Sequence, residues 1–413
     1  MAVTPSTRRV RRAAAVLSAC LGLLLAGYQP PGSSDAATPD SRIDWAQTVL
    51  SADSANNLAT KLALAPRAVA LNPKLPPYNA KGDGVTDDTA ALQAWLTAGG
   101  AQLTDGTYRI VRGLTLAGNN RELYTDHAKI LADGANITAL TVTGNNANIR
   151  AYIDGNRRAA LGLRVTGAGA VIENGLYENF RSATQFARGI EATTTGGIIV
   201  RNNVIRSVVS VGDKTLGNGN GSSRGIALSA GAAATASSVI SGNRIENITG
   251  EEGDAIHVIF FDGKANPFNA GKVTVSDNVI RNVSRRFIKI QASNVNVERN
   301  TLNFDLTTPP AYPGPAINVI RSQYVKVIGN RINPNLIGVD VAVTGFSTAL
   351  LRGIEIRDNV LRQKNNKAVT HIYVKWANSP IIVNNSIYGG GQAVLIVSST
   401  TPRVSGNTHS PYR

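Results

Sequence analysis

Short runs of alternating apolar and polar residues dominate the second half of the chain, and most of them surround an asparagine. Residues 199–205 and 239–245 show the pattern clearly: an apolar alternation, Asn203 or Asn243, and a second apolar alternation. Further copies occupy residues 275–280, 297–302, 327–332, 356–361, 382–387 and 404–407. Alternation with period two predicts short β-strands rather than helices.

The spacing of the asparagines predicts how these strands are arranged. They are Asn174, Asn203, Asn243, Asn278, Asn300, Asn330, Asn359, Asn385 and Asn407, at intervals of 29, 40, 35, 22, 30, 29, 26 and 22 residues. Periods of about 20–50 residues are typical of stacked repeats. We therefore predict an all-β, single-stranded parallel β-helix, with each asparagine in a tight turn where it tolerates positive φ.

Residues 78–93, with the sequence YNAKGDGVTDDTAALQ, predict a cap on the first coil. Thr86 or Asp87 is expected to N-cap a helix that runs through Leu96. Residues 105–110 then predict the next strand. The paired Asp87 and Asp88 could also serve catalysis or bind a metal, but capping is favoured because a bare end of a β-stack invites edge pairing.

This N-terminal segment, together with the repeats, resembles the pectate lyase superfamily of right-handed parallel β-helix proteins. The resemblance covers about residues 78–413 and is shared by polygalacturonase-like hydrolases and phage tailspikes. It implies a right-handed solenoid with an N-terminal capping helix, and it is specific for the fold rather than for a reaction. Residues 37–77 are expected to form a linker and a helical stretch near residues 45–64.

A second repeated strand allows residues of different coils to be placed side by side. Aligned on its first apolar residue, this strand predicts two columns of outward-facing side chains. The first column is Arg164, Glu191, Ala227, His257, Lys289, Asn318, Asp340, Tyr373 and Leu395. The second is Leu161, Arg188, Arg224, Asp254, Arg286, Pro315, Ile337, Thr370 and Gln392. Stacked strands lie about 4.8 Å apart, so His257 should neighbour Lys289, and Asp254 should neighbour Arg286.

This polar face predicts a functional groove, bordered by long loops at residues 207–223, 260–271 and 303–315. The expected catalytic residues are Lys289, His257, Arg286 and Asp254. The expected substrate contacts are Arg188, Glu191, Arg224, Asn318, Arg321, Asp340 and Tyr373. The alternative is a merely solvated face without a function.

Two reactions and one binding role fit such a groove. A lyase that acts on a uronate polymer needs a base for the proton α to the carboxylate and a cation to neutralise that carboxylate. Lys289 or His257 would be the base, and Arg286 and Arg224 the cations. A hydrolase would instead need two carboxylates, from Asp254 with Glu191 or Glu252. A non-catalytic glycan-binding solenoid is the third possibility.

The family resemblance bears on this choice residue by residue. Chondroitinase- and alginate-lyase-type β-helices use a Lys/Arg pair on adjacent coils, which Lys289 matches, whereas Arg321 lies three columns away. Polygalacturonases are similar at Gly253-Asp254 and at residues 286–289. However, their second aspartate is Ala255 here, and their Gly-His-Gly segment is missing. A lyase is therefore favoured, without a predicted cofactor, although calcium is left open.

Charge and the N-terminus indicate where the protein works. The formal net charge is +15, and Arg8, Arg9, Arg11 and Arg12 precede an apolar run too short to span a membrane. Residues 1–36 are thus predicted to be an export signal, with Cys20 as a less favoured lipid-anchor site. The single cysteine excludes disulfides within the chain. We expect a secreted or periplasmic monomer that binds an acidic polysaccharide rather than nucleic acid, because no basic stripe interleaved with aromatic residues is present.

Overall fold

The computed structural model describes most of the chain after residue 70. The described residues are 71–183, 186–193, 196–211, 221–230, 236–260, 271–306, 314–333, 338–363 and 370–412. The predicted export signal, Cys20 and the helical stretch at residues 45–64 lie outside them. So do the central parts of the three predicted loops.

The described chain winds through three parallel sheets, which we call sheets A, B and C, visiting them in the order A, C, B in every full coil. The strands of sheet A are Asp83–Asp87, Gly106–Ile110, Ala128–Ala132, Tyr152–Asp154, Leu176–Ser182, Val204–Ser210, Arg244–Thr249, Val279–Val283, Thr301–Asn303, Arg331–Asn333, Val360–Arg362, Ser386–Tyr388 and Thr408–Ser410.

Among the described residues, sheets B and C each contain 11 strands, and each full coil contributes one strand to each of these sheets. The strands of sheet B are Glu122–Tyr124, Asn148–Arg150, Val171–Glu173, Ile199–Arg201, Ser238–Ser241, Val273–Ser276, Val295–Glu298, Val325–Ile328, Glu355–Arg357, Ile381–Val383 and Arg403–Ser405. The strands of sheet C are Leu114–Leu116, Thr138–Val142, Leu161–Val165, Ala187–Thr193, Ser222–Ala230, Glu252–Phe260, Arg286–Gln291, Ile317–Ile320, Val339–Thr344, Thr370–Lys375 and Gln392–Val397. The predicted right-handed parallel β-helix is thereby confirmed.

Aliphatic side chains from successive coils stack to form the interior. One such stack in sheet A contains Ile205, Ile245, Ile280, Leu302, Ile332, Leu361 and Ile387, none of which is more than 1% exposed. Burying one such side chain contributes about 1.5–3 kcal/mol. Alternation along each strand therefore fixes which residues face solvent.

The turn between sheets B and A contains a continuous ladder of asparagine side chains. The side-chain amide of each one, from Asn203 to Asn385, donates to Oδ1 of the asparagine in the next coil at 2.8–3.1 Å. The backbone N–H of the same residue donates to that oxygen as well. Satisfying these buried groups holds the coils in register.

The ladder corrects the predicted role of the asparagines. Positive φ occurs at the residue before each of them, such as Asn202 (54°), Asp277 (58°) and Asp358 (57°). Asn174 has φ 53° and therefore occupies this preceding position, while Gly175 stands where the ladder would continue. The repeated asparagine is selected for its side-chain amide, and only its predecessor for the left-handed turn.

The first described coil is covered by a helix, α1, at Thr89–Thr97. It begins later than predicted, with Asp88 rather than Thr86 or Asp87 as the N-cap. The carboxylate of Asp88 instead accepts hydrogen bonds from the N–H groups of Lys81 and Gly82, at 2.7 and 2.9 Å. Asp87 Oδ1 accepts from the N–H of Thr89 at 3.0 Å. Both aspartates therefore fix the turn into the capping helix, as their structural interpretation predicts.

Two further contacts attach the cap to its surroundings. The side-chain amide of Gln93 exchanges two hydrogen bonds with the backbone of Thr115, at 2.9 and 2.8 Å. The indole N–H of Trp95, which is fully buried, donates to the carbonyl oxygen of Leu71 at 2.7 Å. Among the residues described, no helix is long and apolar enough to span a bilayer.

The ladder can be tested at its centre. Asn300→Ala removes the acceptor for both donors of Asn278 and the donor to Asn330 Oδ1, leaving buried groups unsatisfied. We expect it to lower the free energy of unfolding by roughly 3 kcal/mol, measured by urea denaturation. Asn296→Ala is the matched control, because that side chain lies on the outer face and donates to the carboxylate of Glu298 two residues away. Equal effects of the two substitutions would show that the ladder does not fix the register.

Candidate functional site

The predicted groove lies on the outer face of sheet C, where two rows of side chains run across successive strands. Strand pairing places Arg188, Arg224, Asp254 and Arg286 in one row. Glu191, Ala227, His257, Lys289 and Asn318 form the second row. The predicted adjacency of His257 to Lys289 and of Asp254 to Arg286 is confirmed. We call the charged and polar residues of both rows, together with Glu252, the groove cluster.

A bend in each strand brings both rows to the same face although they lie three residues apart. Gly189, Gly225 and Ala255 are left out of the pairing between neighbouring strands, so the alternation of inward and outward side chains starts again after them. A Cβ at Gly225 would be 2.7 Å from the carbonyl oxygen of Ala255, too close for any side chain. Glycine is therefore required at position 225, whereas the next coil of the site accommodates the buried Phe287 at the same bend.

Asp254 is the buried anion of the first row. It has no exposed surface, and its carboxylate lies 3.3 Å from Nη1 of Arg224 and 3.2 Å from Nη1 of Arg286. A buried carboxylate needs such partners because an unpaired charge in the interior costs several kcal/mol. Asp254 consequently holds the two guanidinium groups in place, and it is not accessible to a substrate.

Glu252 connects the first row to the second. Its carboxylate lies 2.8 Å from Nη2 of Arg224, 3.4 Å from Nζ of Lys289 and 3.6 Å from Nη2 of Arg286. Burial favours the neutral form of Glu252, but the positive charges of Lys289, Arg224 and Arg286 outweigh it and lower its pKa to about 2. Glu252 is therefore a fixed anion at neutral pH.

Lys289 is the titratable cation of the cluster. Its side chain is 8% exposed. Burial lowers the pKa of Lys289 to about 8, with help from Arg286 and Arg224 and against the opposing charges of Asp254 and Glu252. About a tenth of this amine is therefore uncharged at pH 7 and about half at pH 8, and the uncharged form is the one that can accept a proton.

His257 is held by hydrogen bonds on both ring nitrogens. Nδ1 accepts from Nε of Arg224 at 3.1 Å, and Nε2 lies 2.9 Å from Oε1 of Gln291, to which it donates. Burial, together with the charges of Arg224 and Lys289, holds the pKa of this imidazole well below its usual range. His257 is thus a neutral ring that orients Arg224 rather than a free base.

Glu191 belongs to an ion-pair group at the N-terminal side of the groove. Its carboxylate contacts Nη1 of Arg188 and lies 2.9 Å from Nε of Arg164. Burial, with the nearby charges of Arg224 and Arg164, lowers the pKa of Arg188 to about 10. Nε of Arg188 is buried and without a hydrogen-bond partner. This end of the groove is accordingly rich in positive charge.

Asp340 was predicted in the outward column, and this placement is wrong. Asn318 pairs with Ala342, so the strand Val339–Thr344 is shifted by two residues from the predicted alignment. Asp340 has no exposed surface, and its carboxylate lies 2.7 Å from Nδ1 of His371 and 3.0 Å from Nε2 of Gln363. Burial raises the pKa of Asp340. It belongs to the interior because the bend of its coil turns it inward.

The remaining predicted contacts lie towards the C-terminal end of the same face. Tyr373 is half-buried and occupies the second row, beside Ala342 and Leu395. Arg321 is exposed and stacks on the ring of Phe346. Among the described residues, neither forms a hydrogen bond or an ion pair with the groove cluster. They lie near it only because the sheet is continuous.

Sequence reasoning missed three features of the cluster. Glu252 is expected from the sequence only as a carboxylate for hydrolysis, whereas it begins the strand Glu252–Phe260 and contacts four cations. Gln291 was not considered, although extending the aligned strand by two residues from Lys289 would have found it. Arg285, which lies 3.7 Å from Glu252, precedes the aligned strand, so the repeat pattern did not indicate its position. Within the described ranges, no group of three or more His, Cys, Asp or Glu residues could hold a metal ion.

Comparisons with known proteins agree on the scaffold. No protein-family model and no curated protein sequence matches the chain. A crystal structure of PfbA, a surface adhesin of Streptococcus pneumoniae, matches 83% of this chain and 90% of its own, with a TM-score of 0.60 and 16% identity. A second PfbA structure matches 84% of this chain and 100% of its own, with a TM-score of 0.49 and 14% identity. The A-module of the mannuronan C-5 epimerase AlgE4 from Azotobacter vinelandii matches 83% and 97%, with a TM-score of 0.43 and 15% identity.

At these identities the likeness establishes the fold alone. The parallel β-helix scaffold predicted from the family resemblance is confirmed. The chemistry of this chain has to be inferred from its own groove cluster.

The lowered pKa of Lys289 predicts a specific pH dependence of stability. A lysine whose pKa is about 8 when folded and 10.5 when unfolded binds fewer protons in the folded state between these values. Stability should therefore rise with pH across that window, by at most about 1.4 kcal/mol per pH unit. Lys289→Met should remove this rise, whereas Lys81→Met, at an exposed position, should keep it. If the free energy of unfolding rose equally with pH in Lys289→Met and in wild type between pH 8 and 10.5, the lowered pKa would not belong to Lys289.

Proposed function

We propose that the protein is an exported polysaccharide lyase that cleaves a uronate-containing polymer by β-elimination. The observation that carries this proposal is the amine of Lys289, whose pKa is about 8 in a groove where cations outnumber carboxylates. Arg164, Arg188, Arg224, Arg285, Arg286 and Lys289 face Glu191, Glu252 and Asp254. Such an excess of positive charge favours a polyanionic substrate.

The reaction needs one base and a neutralised carboxylate. Neutral Lys289 would accept the proton on the carbon α to the uronate carboxylate, while a guanidinium of Arg286 or Arg224 stabilises the charge that moves onto that carboxylate. The bond between the β carbon and the glycosidic oxygen then breaks, and a carbon–carbon double bond forms. The proton held by Lys289 can pass to the leaving oxygen, which restores the neutral amine.

The surroundings of the base support this division of roles. Asp254 and Glu252 fix Arg224 and Arg286, so the guanidinium groups need little reorganisation during the reaction. His257 fills the role of a positioning residue, because its Nδ1 is already engaged by Arg224. Lys289 is consequently the better of the two predicted bases.

Hydrolysis is supported less well. A glycosidase needs a carboxylic acid whose pKa is raised so that it stays protonated. The pKa of Glu252 is lowered to about 2, and Asp254 is enclosed between two arginines. Glu191 is paired with Arg188 and Arg164. None of the three acids therefore has the environment of a proton donor.

A non-catalytic glycan-binding role is the second candidate. It is favoured by the ion pairs that engage Arg224, Arg286 and Lys289 before any substrate arrives. Binding without cleavage would then require an anionic polymer to share these cations with Glu252. The two candidates predict the same ligand class and differ only in the fate of the polymer.

Substitution of Lys289 separates these candidates. We expect Lys289→Arg to retain the positive charge and the binding of polygalacturonate or alginate, but to lose roughly 10²–10⁴-fold in rate, because arginine is not a base at this pH. Ultraviolet absorbance of the unsaturated product and new reducing ends measure the reaction. His257→Gln should be less damaging. Reducing ends without unsaturated product would indicate hydrolysis instead, and binding without either would indicate the adhesive role.

Glu252 provides a test through the pH profile. The rate of a lyase that uses Lys289 should rise with pH through about 8. Glu252→Gln removes an anion that favours the charged amine, so this rise should move to lower pH. The control is Glu355→Gln. Glu355 lies on sheet B, whereas Lys289 lies on sheet C, and it pairs with Lys326 and Arg357. A large loss of cleavage in Glu252→Gln, with an unshifted pH profile of the residual rate, would argue for a direct catalytic role of Glu252.

A further inference from the structure

A second group of cations lies on sheet C and its turns, one to three coils nearer the C-terminus than Lys289. Cζ of Arg321 lies 4.0 Å from the ring centroid of Phe346, and Nζ of Lys375 lies 4.0 Å from that of Trp376. We call these four residues the aromatic–cation patch. Arg321 is exposed, and the other three are half-buried, so all of them can be reached by a ligand.

Stacking brings the patch together from three successive coils. Ile320 pairs with Thr344, which pairs with Lys375. Just beyond these positions, the N–H of Arg321 donates to the carbonyl oxygen of Thr344 at 2.7 Å. The patch therefore gathers residues that are up to 55 positions apart in the chain. No local sequence stripe could have shown it.

The patch continues the face that carries the groove cluster. Lys289 pairs with Asn318, which pairs with Ala342, which pairs with Tyr373, two residues before Lys375. Three strand spacings amount to about 14 Å along the solenoid. A polymer that crosses Lys289 and follows the sheet would thus reach the patch within a few sugar residues.

Backbone strain at two patch residues indicates a role other than packing. Arg321 has φ 53° and Trp376 has φ 59°, in the left-handed region where asparagine and glycine are usual. Asn384, at another turn of the same solenoid, has φ 56° and shows the ordinary choice. A bulky side chain there costs on the order of 1–3 kcal/mol. The indole of Trp376 is incompletely buried, so part of its face remains available for a ligand to stack on.

The cations of the patch are also available, unlike those of the groove cluster. Neither Arg321 nor Lys375 forms an ion pair with any residue that the structure describes. An aromatic face can pack against the apolar side of a sugar ring, while an unpaired ammonium or guanidinium group binds a carboxylate or sulfate. The two chemistries occur side by side here.

We propose that the aromatic–cation patch is a separate binding site for an acidic polysaccharide, which holds the polymer beyond Lys289 on the face of sheet C. The ligand class rests on the proposed function, whereas the site itself rests on the patch geometry. Nucleic acid could use the same groups by base stacking, but continuity with a groove built around Lys289 favours the polysaccharide. The site would strengthen binding of long chains and leave short oligosaccharides unaffected.

Equilibrium binding tests the site independently of cleavage. In a Lys289→Arg background, which prevents turnover, dissociation constants are measured for polygalacturonate, alginate, chondroitin sulfate and duplex DNA at fixed salt. Trp376→Ala and Lys375→Ala should each weaken binding of a polysaccharide on the order of tenfold. Arg362→Ala and Tyr388→Ala are matched controls, because they form a similar pair on sheet A, with Cζ 5.0 Å from the ring, and should change little.

Three results would overturn the proposal: unchanged dissociation constants in both patch variants, binding of none of the three polysaccharides, or tighter binding of DNA that the same variants weaken. The comparison of polymers also separates uronate from sulfate recognition. A protein that binds through the patch but never cleaves would contradict the proposed lyase and leave this site standing.

Trp376→Asn distinguishes binding from packing. Asparagine tolerates positive φ, so the variant should unfold at the same temperature as wild type or higher, while its affinity falls as in Trp376→Ala. Trp376→Phe should recover part of the affinity. A large drop in unfolding temperature for Trp376→Asn would show that the indole is a packing element, and the proposal would then fail.

Discussion

The asparagine ladder is the interaction on which the rest of the structure depends. Each rung satisfies two donors with one buried oxygen of the next coil, from Asn203 to Asn407. A parallel stack has no hairpin turn to fix its register, and although a one-residue slip would expose the buried aliphatic stack, a two-residue slip keeps the alternation. The ladder makes such a slip energetically unfavourable, because every buried amide would lose its hydrogen-bond partner. Residues distant in sequence can therefore be held side by side at strand spacing.

The groove cluster exploits this fixed register electrostatically. Asp254 lies between two arginines of neighbouring coils, and Glu252 connects these arginines to Lys289. Burial and like charge lower the pKa of Lys289, while the same cations lower that of Glu252. The cluster thus keeps Glu252 charged and brings the pKa of Lys289 close to neutral pH. This combination suits abstraction of a carbon-bound proton beside a carboxylate better than protonation of a glycosidic oxygen.

The groove cluster uses a bend that belongs to the repeat itself. The pairing of sheet C skips one residue between the two rows near both ends of the sheet as well as at Gly189, Gly225 and Ala255. What distinguishes the groove is therefore the charged side chains that these recurring positions carry. Trp376 and Arg321 differ in another way, because they occupy turn positions that the rest of the solenoid gives mostly to small or amide residues.

The sequence by itself determined the solenoid, the capping helix and the adjacency of Asp254 to Arg286 and His257 to Lys289. It could do so because period-two alternation and a repeated buried amide are local signals that recur in every coil. Only the tertiary structure decided that Asp340 faces inward, that Glu252 joins four cations and that the coil of Phe346 lies between those of Arg321 and Trp376. These outcomes depend on bends and on distances between coils. A pKa, likewise, is a sum over spatial neighbours and burial, which no linear spacing contains.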